Sequence, residues 1–223
     1  MSPRCARCRT SSPRKLGELG GWKILAGGAE SEPLCAPIPA NRYFEDGATL
    51  DAKRHRFVLV ELEVAVKLGQ DLASGADESA VEAAIASIHP ALELVGSPFV
   101  DRDAIDFNTK LADLQSNGAV VVGPAFSADV KAQISQFPAT LTHDGAIVKS
   151  GQGGASWVQI VEAVRWLATH AAERGMPLKA GNNVIITGSR VLAPSEGTRD
   201  VVGAFGEFGS VAATLDHPDA RIA

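Results

Sequence analysis

Residues 57–66 read FVLVELEVAV, and this run decides the fold. Valine recurs at 58, 60, 64 and 66, a polar DAKRHR precedes it, and no breaker interrupts it, so it reads as a strand. Alternate side chains of a strand point to opposite faces. Val60, Leu62 and Val64 therefore share one face, and Glu61 and Glu63 share the other. Two carboxylates held side by side repel, and burial sharpens the conflict. Two arrangements resolve it. A divalent cation can take both carboxylates, since hard oxygen ligands suit magnesium, calcium or manganese. Alternatively, the glutamates form the wet face of an antiparallel edge strand.

Outward from this run the chain alternates strands with two helices. Residues 77–88 read as a helix capped by Asp77, with Val81, Ile85 and Ile88 on one face. His89–Pro90 would stop it. ALELV at 91–95 and GAVVVG at 118–123 read as further strands, and Glu93 in the first could bring a third carboxylate to Glu61 and Glu63. The 77–88 segment leaves enough chain for that strand to return alongside 57–66. Residues 156–174 form the clearest helix. Ser156 and Gln159 make a capping box, and Ile160, Val161, Val164, Leu167, Ala168 and Ala171 form an apolar stripe. Gly175 stands at the C-cap, and Pro177 prevents continuation. NVIITGS (183–189), DVVGAF (200–205) and SVAATL (210–215) complete the strands. The balance is an α+β domain around a mainly β core.

Composition narrows the function. A chain of 223 residues, 45% hydrophobic and 21% charged, can bury one substantial core. A net charge of −5 argues against a nucleic-acid surface. No apolar run approaches the ~20 residues that span a bilayer. Three cysteines cannot complete a disulfide framework, which points to a reducing, cytoplasmic setting. Residues 1–18 stand apart as a basic tail, expected to be disordered, with the folded domain running over 19–223. Cys5 and Cys8 form a C-x-x-C with no second ligand pair, so no zinc site is expected there.

Other residues admit two readings each. Lys23, in GGWKI, can lie partly buried facing an anion or stand at the surface beside a strand start. Thr187–Gly188–Ser189 can bind a carboxylate or simply end a strand. Gly151, Gly153 and Gly154 form a loop before a helix, but without the G-K-[ST] of a phosphate loop. The five histidines show no metal-ligand spacing.

GGWKI, VELEVAVKLGQDL, HPALELVG, LADLQSNGAVVVG, the run WLATHAAERGMPLKAGNNVIITGS, and FGEFGSV occur in the order seen in the 2-keto-4-pentenoate hydratase and 4-oxalocrotonate decarboxylase family. The chain resembles that family, within the fumarylacetoacetate hydrolase C-terminal domain superfamily, over roughly residues 19–215. The resemblance implies a mixed β-sheet roll with helices packed around it. It implies Mg2+ or Mn2+ held by Glu61, Glu63 and Glu93, with Lys23 as the catalytic residue. Thr187, Ser189, Asp113 and Ser116 would line the site of a small 2-oxo acid. The reaction implied is hydration of a 2-hydroxy-2,4-dienoate in catabolism of aromatic ring-cleavage products. Decarboxylation of a 4-oxalocrotonate-type substrate, or service as a catalytically degenerate partner subunit, are its alternatives. A homo-oligomer, or a complex with a homologous decarboxylase or hydratase, is expected.

The chain also departs from the pattern. The leading helical segment of the family is replaced by the basic tail, and PIPANRY lacks the usual acid. The family's D-S-R after the third glutamate reads Gly96–Ser97–Pro98, and its A-D-N reads Ala112–Asp113–Leu114. The histidine-proline usual before the long helix is absent from GGASWVQ.

Overall fold

The computed structural model describes residues 17–26, 33–99, 101, 104–127 and 129–217, apart from the side chains of 187–190. Nearly all of the basic tail, with Cys5 and Cys8, lies outside the described residues. The chain begins with β1 (Leu19–Leu25), β2 (Cys35–Pro39), β3 (Tyr43–Glu45) and β4 (Ala48–Asp51), then one helical turn, α1 (Ala52–His55). Next come β5 (Phe57–Leu68), α2 (Glu78–Ala84), β6 (Ile85–Gly96), α3 (Phe107–Ala112) and β7 (Asn117–Val122). The remainder is β8 (Pro138–His143), β9 (Ala146–Gln152), α4 (Trp157–Glu173), β10 (Asn183–Pro194), β11 (Asp200–Ala204) and β12 (Ser210–Asp216). No helix among the described residues is long and apolar enough to cross a membrane.

The strands form two sheets. One is mixed and runs β2-β1-β10-β5-β6-β7-β3; the other runs β4-β12-β11-β8-β9. The long antiparallel pair β5 and β6 is the spine of the first sheet. One face of that spine carries Val60, Leu62, Val64, Val66, Leu92 and Leu94, all fully buried or nearly so in the main core. The second sheet packs directly on it. A Cβ built at Gly203 of β11 would come within 2.5 Å of Leu62 Cδ1, so the two layers meet with only a hydrogen between them. Helix α4 packs against α2 and β1. Its expected capping box is present, its stripe from Ile160 to Ala171 is buried, and Gly175 caps it at φ +71°.

The first sheet curls. Tyr43, on the β3 edge, donates its hydroxyl to the carbonyl of Asn183 on β10 at 2.8 Å, bridging far beyond its own strand neighbour. Gly21 makes this closure possible: a Cβ there would lie 1.9 Å from the Asn183 oxygen and 2.6 Å from the tyrosine hydroxyl. The result is a half-barrel with helices around it, the expected α+β roll.

One element differs from the sequence reading. The helix expected over 77–88 stops at Ala84, and Ile85 enters β6 with φ −76° and ψ 110°. Asp77 caps the helix as expected, accepting from the Ala80 amide at 2.8 Å. The spacing of Val81, Ile85 and Ile88 suits a helix, but β5 runs on to Leu68 and offers Ile85–Pro90 a pairing partner. Tertiary pairing overrides local periodicity here. Pro90, read as a helix stop, sits inside the strand. It lacks a donor for the Gly123 carbonyl, and the His89 imidazole takes that carbonyl instead through Nδ1 at 2.8 Å. Gly151 also differs: it belongs to β9 rather than to the loop before α4.

Candidate functional site

Pairing of β5 with β6 places Glu61 directly opposite Glu93, with Glu63 one step along the same face opposite Ala91. One carboxylate oxygen from each of the three lies within 4.8 Å of the others. The edge-strand alternative does not hold, because β5 is flanked by β10 and β6. Glu63 and Glu93 are 0% exposed and Glu61 is half-buried, so this face is not wet. Ile38, Ala65, Ala91, Val120 and Ile185 form a small apolar cluster of their own on the roll's inner side.

Lys23 answers part of the negative charge. It lies on β1, registered with Ile185 of β10, and is 5% exposed. Its ammonium donates to Glu93 Oε1 at 2.6 Å and to the Gln115 carbonyl at 3.2 Å. A lysine reaching across two strands to a buried glutamate is held by that charge, not by solvent. Glu93 Oε1 also accepts from Asn117 Nδ2 at 2.9 Å. Its second oxygen, Oε2, is buried and has no hydrogen-bond partner among the described residues.

The segment between α3 and β7 forms one wall. Leu114, Gln115 and Ser116 have φ of +52°, +54° and +59°, three successive non-glycine residues in the left-handed region. Each such residue costs about 1–2 kcal/mol, so the surroundings must impose this turn. It closes with the Ser116 amide donating to the Asp113 carbonyl at 2.8 Å, and it turns the Gln115 carbonyl onto Lys23. Arg42 braces it, donating to the Asn117 carbonyl. Burial lowers the pKa of the Arg42 guanidinium, and the charge of Asp113 opposes that. Burial raises the Asp113 carboxyl, and Arg42 opposes that in turn. Tyr43 is partly buried: burial, reinforced by the charge of Glu93, raises its hydroxyl well above the usual range, so it acts as a neutral donor.

The structure thus brings together Lys23, Glu61, Glu63 and Glu93. Ser116, buried, and Asp113, half-buried, stand in or beside the turn that touches Lys23 through Gln115. The side chains of Thr187 and Ser189 lie outside the described residues. The Thr187 backbone is registered with Leu25, two positions along from the Lys23–Ile185 pair. Sequence reasoning missed Arg42, Tyr43, Gln115 and Asn117. Only Asn117 left a signal, as a polar residue opening the apolar strand 117–122.

Residues 28–214 match the family described as fumarylacetoacetate (FAA) hydrolase C-terminal. A 2-keto-4-pentenoate hydratase of Paraburkholderia xenovorans (strain LB400) is 32% identical over 155 residues, 69% of this chain and 57% of that protein. A 4-oxalocrotonate decarboxylase of a Pseudomonas species is 25% identical over 179 residues, 80% of this chain and 68% of that protein. In fold, the chain is similar to the 4-oxalocrotonate decarboxylase from Pseudomonas putida G7, solved with magnesium and adipate. The TM-score is 0.75 at 22% identity, covering 91% of this chain and 80% of that one. The chain spans 57% of the length of the hydratase it matches. With the family match running over most of its length, the chain belongs to the fumarylacetoacetate hydrolase C-terminal family.

Proposed function

We propose that this chain is a divalent-metal-dependent lyase of the hydratase type, adding water to a 2-hydroxy-2,4-dienoate or its 2-oxo-4-enoate tautomer. The observation that carries the reading is the buried convergence of Glu61, Glu63 and Glu93 beside Lys23. Names of curated relatives give it its chemical direction.

The residues fit Mg2+ or Mn2+. All three donors are hard carboxylate oxygens. The Glu93 oxygen without a hydrogen-bond partner among the described residues is itself buried, a cost that a cation would remove. Glu61, Glu63 and Glu93 would hold the ion, which when bound supplies positive charge to stabilise the enolate form of a 2-oxo acid. Lys23 has three N–H donors, and Glu93 and Gln115 engage two. The third can hold a substrate oxygen and place a proton donor beside it. Tyr43, neutral and tied to the Asn183 carbonyl, keeps the roll closed against water. Thr187, Ser189, Asp113 and Ser116 complete the proposed substrate shell.

The match to a 4-oxalocrotonate decarboxylase over 80% of the chain favours decarboxylation as the second reading. Purified protein with magnesium separates the two. Loss of 2-hydroxypenta-2,4-dienoate absorbance marks the hydratase, and release of carbon dioxide from 2-oxohex-3-enedioate marks the decarboxylase. Inactivity on both at high protein concentration defeats the enzyme reading. It would leave the chain as a partner subunit, for which the altered Gly96–Ser97–Pro98 segment argues.

A further inference from the structure

We propose that Asn117 is a positioning residue that pins Glu93 so that Oε2 alone is presented for metal ligation. The inference rests on the metal reading above. Glu93 Oε1 accepts from Lys23 Nζ at 2.6 Å and from Asn117 Nδ2 at 2.9 Å. A carboxylate oxygen offers two good acceptor positions, and both are taken. Glu93 is 0% exposed, so solvent does not compete for the rest of the group. The ring of contacts therefore fixes the carboxylate's rotation and leaves Oε2, which has no hydrogen-bond partner among the described residues, as the free donor.

Asn117 is well built for this. It is 3% exposed, and its backbone carbonyl is held by Arg42. It enters β7 where the pairing with β6 shifts register, between Leu94 and Val95, and that irregularity aims its side chain back at Glu93. A neutral amide orients the carboxylate without adding a charge. A second ammonium there would compete with the cation, and a carboxylate would repel Glu93. Held this way, Glu93 binds through one oxygen and leaves more of the shell open to a chelating substrate. Outer partners that orient a metal ligand are worth about 10–100-fold in affinity.

Titration of the full chain with Mn2+, with free ion read by electron paramagnetic resonance, tests this. Asn117→Ala should bind Mn2+ about 10–100-fold more weakly than the unsubstituted chain, with an unchanged circular dichroism spectrum. Asn117→Ser, which keeps a shorter donor, should fall between the two; if the alanine variant does not fold, the serine variant alone must be weakened. Affinity within twofold of the unsubstituted chain in the folded variant overturns the inference while leaving the metal site standing. No Mn2+ binding by the unsubstituted chain, or binding untouched by Glu63→Gln, defeats the metal reading and takes this inference with it.

Discussion

The two faces of the β5–β6 pair share a backbone, a register and a depth of burial, yet they meet burial in opposite ways. On one face, Val60, Leu62, Val64, Leu92 and Leu94 remove apolar surface from water, and each contact is favourable by itself. On the other, Glu63 and Glu93 are equally buried, and charge removed from water is costly until something opposes it. The apolar face needs only matching volume. The acidic face needs specific partners: an ammonium, an amide, and in our reading a cation. On the proposed reading, stability is concentrated on the first face and function on the second, and substitutions on each should separate the two properties.

The largest effect is expected on the acidic face. Glu63→Gln keeps the shape and removes one ligand charge, so magnesium-dependent turnover should fall by more than the about 10–100-fold that losing an outer partner costs. Folding in the presence of chelator should survive, because one buried charge has gone. Turnover close to that of the starting protein would dissolve the distinction between the faces. Leu62→Ala is the counterpart on the apolar face. Leu62 is fully buried and touches the backbone of Gly203 across the layers, so truncation leaves a cavity. Urea unfolding should show a loss of about 2–5 kcal/mol, while Mn2+ affinity of the folded fraction stays the same. A large change in metal affinity there would mean that the two faces are coupled.

How much of this was written in the sequence follows the same division. The valine-rich run over residues 57–66 gives the strand, and its period of two puts Glu61 and Glu63 on one face, because both are local properties. The cap and stripe of α4 are local as well. What was lost depends on partners distant in sequence. Ile85–Ile88 looks helical until β5 is there to pair with it. β2 reads CAPIP, and its two prolines hide a strand that survives at the edge of its sheet. β9 is exposed along its whole length and shows no alternation of burial. The wall of the site was least legible. Leu114, Gln115 and Ser116 are not residues that favour the left-handed region, and the partner that meets their turn, Lys23 on β1, is distant in sequence. Asn117 reaches Glu93 through a register shift between the neighbouring strands β6 and β7, and Tyr43 reaches Asn183 because the sheet curls.

That wall offers a smaller test. Gln115 contacts Lys23 through its carbonyl, which any residue supplies. Gln115→Gly should relieve about 1–2 kcal/mol of left-handed strain, against the about 0.5–1 kcal/mol that glycine's freedom in the unfolded chain costs. A net gain of about 0.5–1 kcal/mol in thermal unfolding is expected, with the Lys23–Glu93 pair kept. A loss of stability would show that the glutamine side chain, rather than the backbone turn, is what the site requires.

The second sheet supplies the smallest and most instructive case, a titratable group that meets burial by staying neutral. His143 on β8 is 7% exposed, with Nδ1 on the Thr198 hydroxyl at 3.1 Å. Burial lowers its pKa below the ordinary histidine value, and the charge of Asp144 only partly opposes that. The unfolded chain therefore takes up the proton first as the pH falls. Stability from neutral His143 is present above the ordinary value of about 6.5 and is lost as the pH drops through it toward the lower folded value. Chemical denaturation between about pH 7.5 and 5 stays above the usual carboxylate range and reads this window. The starting protein should weaken as the solution is acidified, and His143→Gln, which cannot take up a proton, should weaken less. Some slope should persist, because His55 is also lowered by burial and titrates in the same window. An unchanged slope in His143→Gln would mean that His143 tolerates its charge when buried. Burial and charge would then be reconciled in the second sheet by neighbours, as they are around Glu93, and not by neutrality.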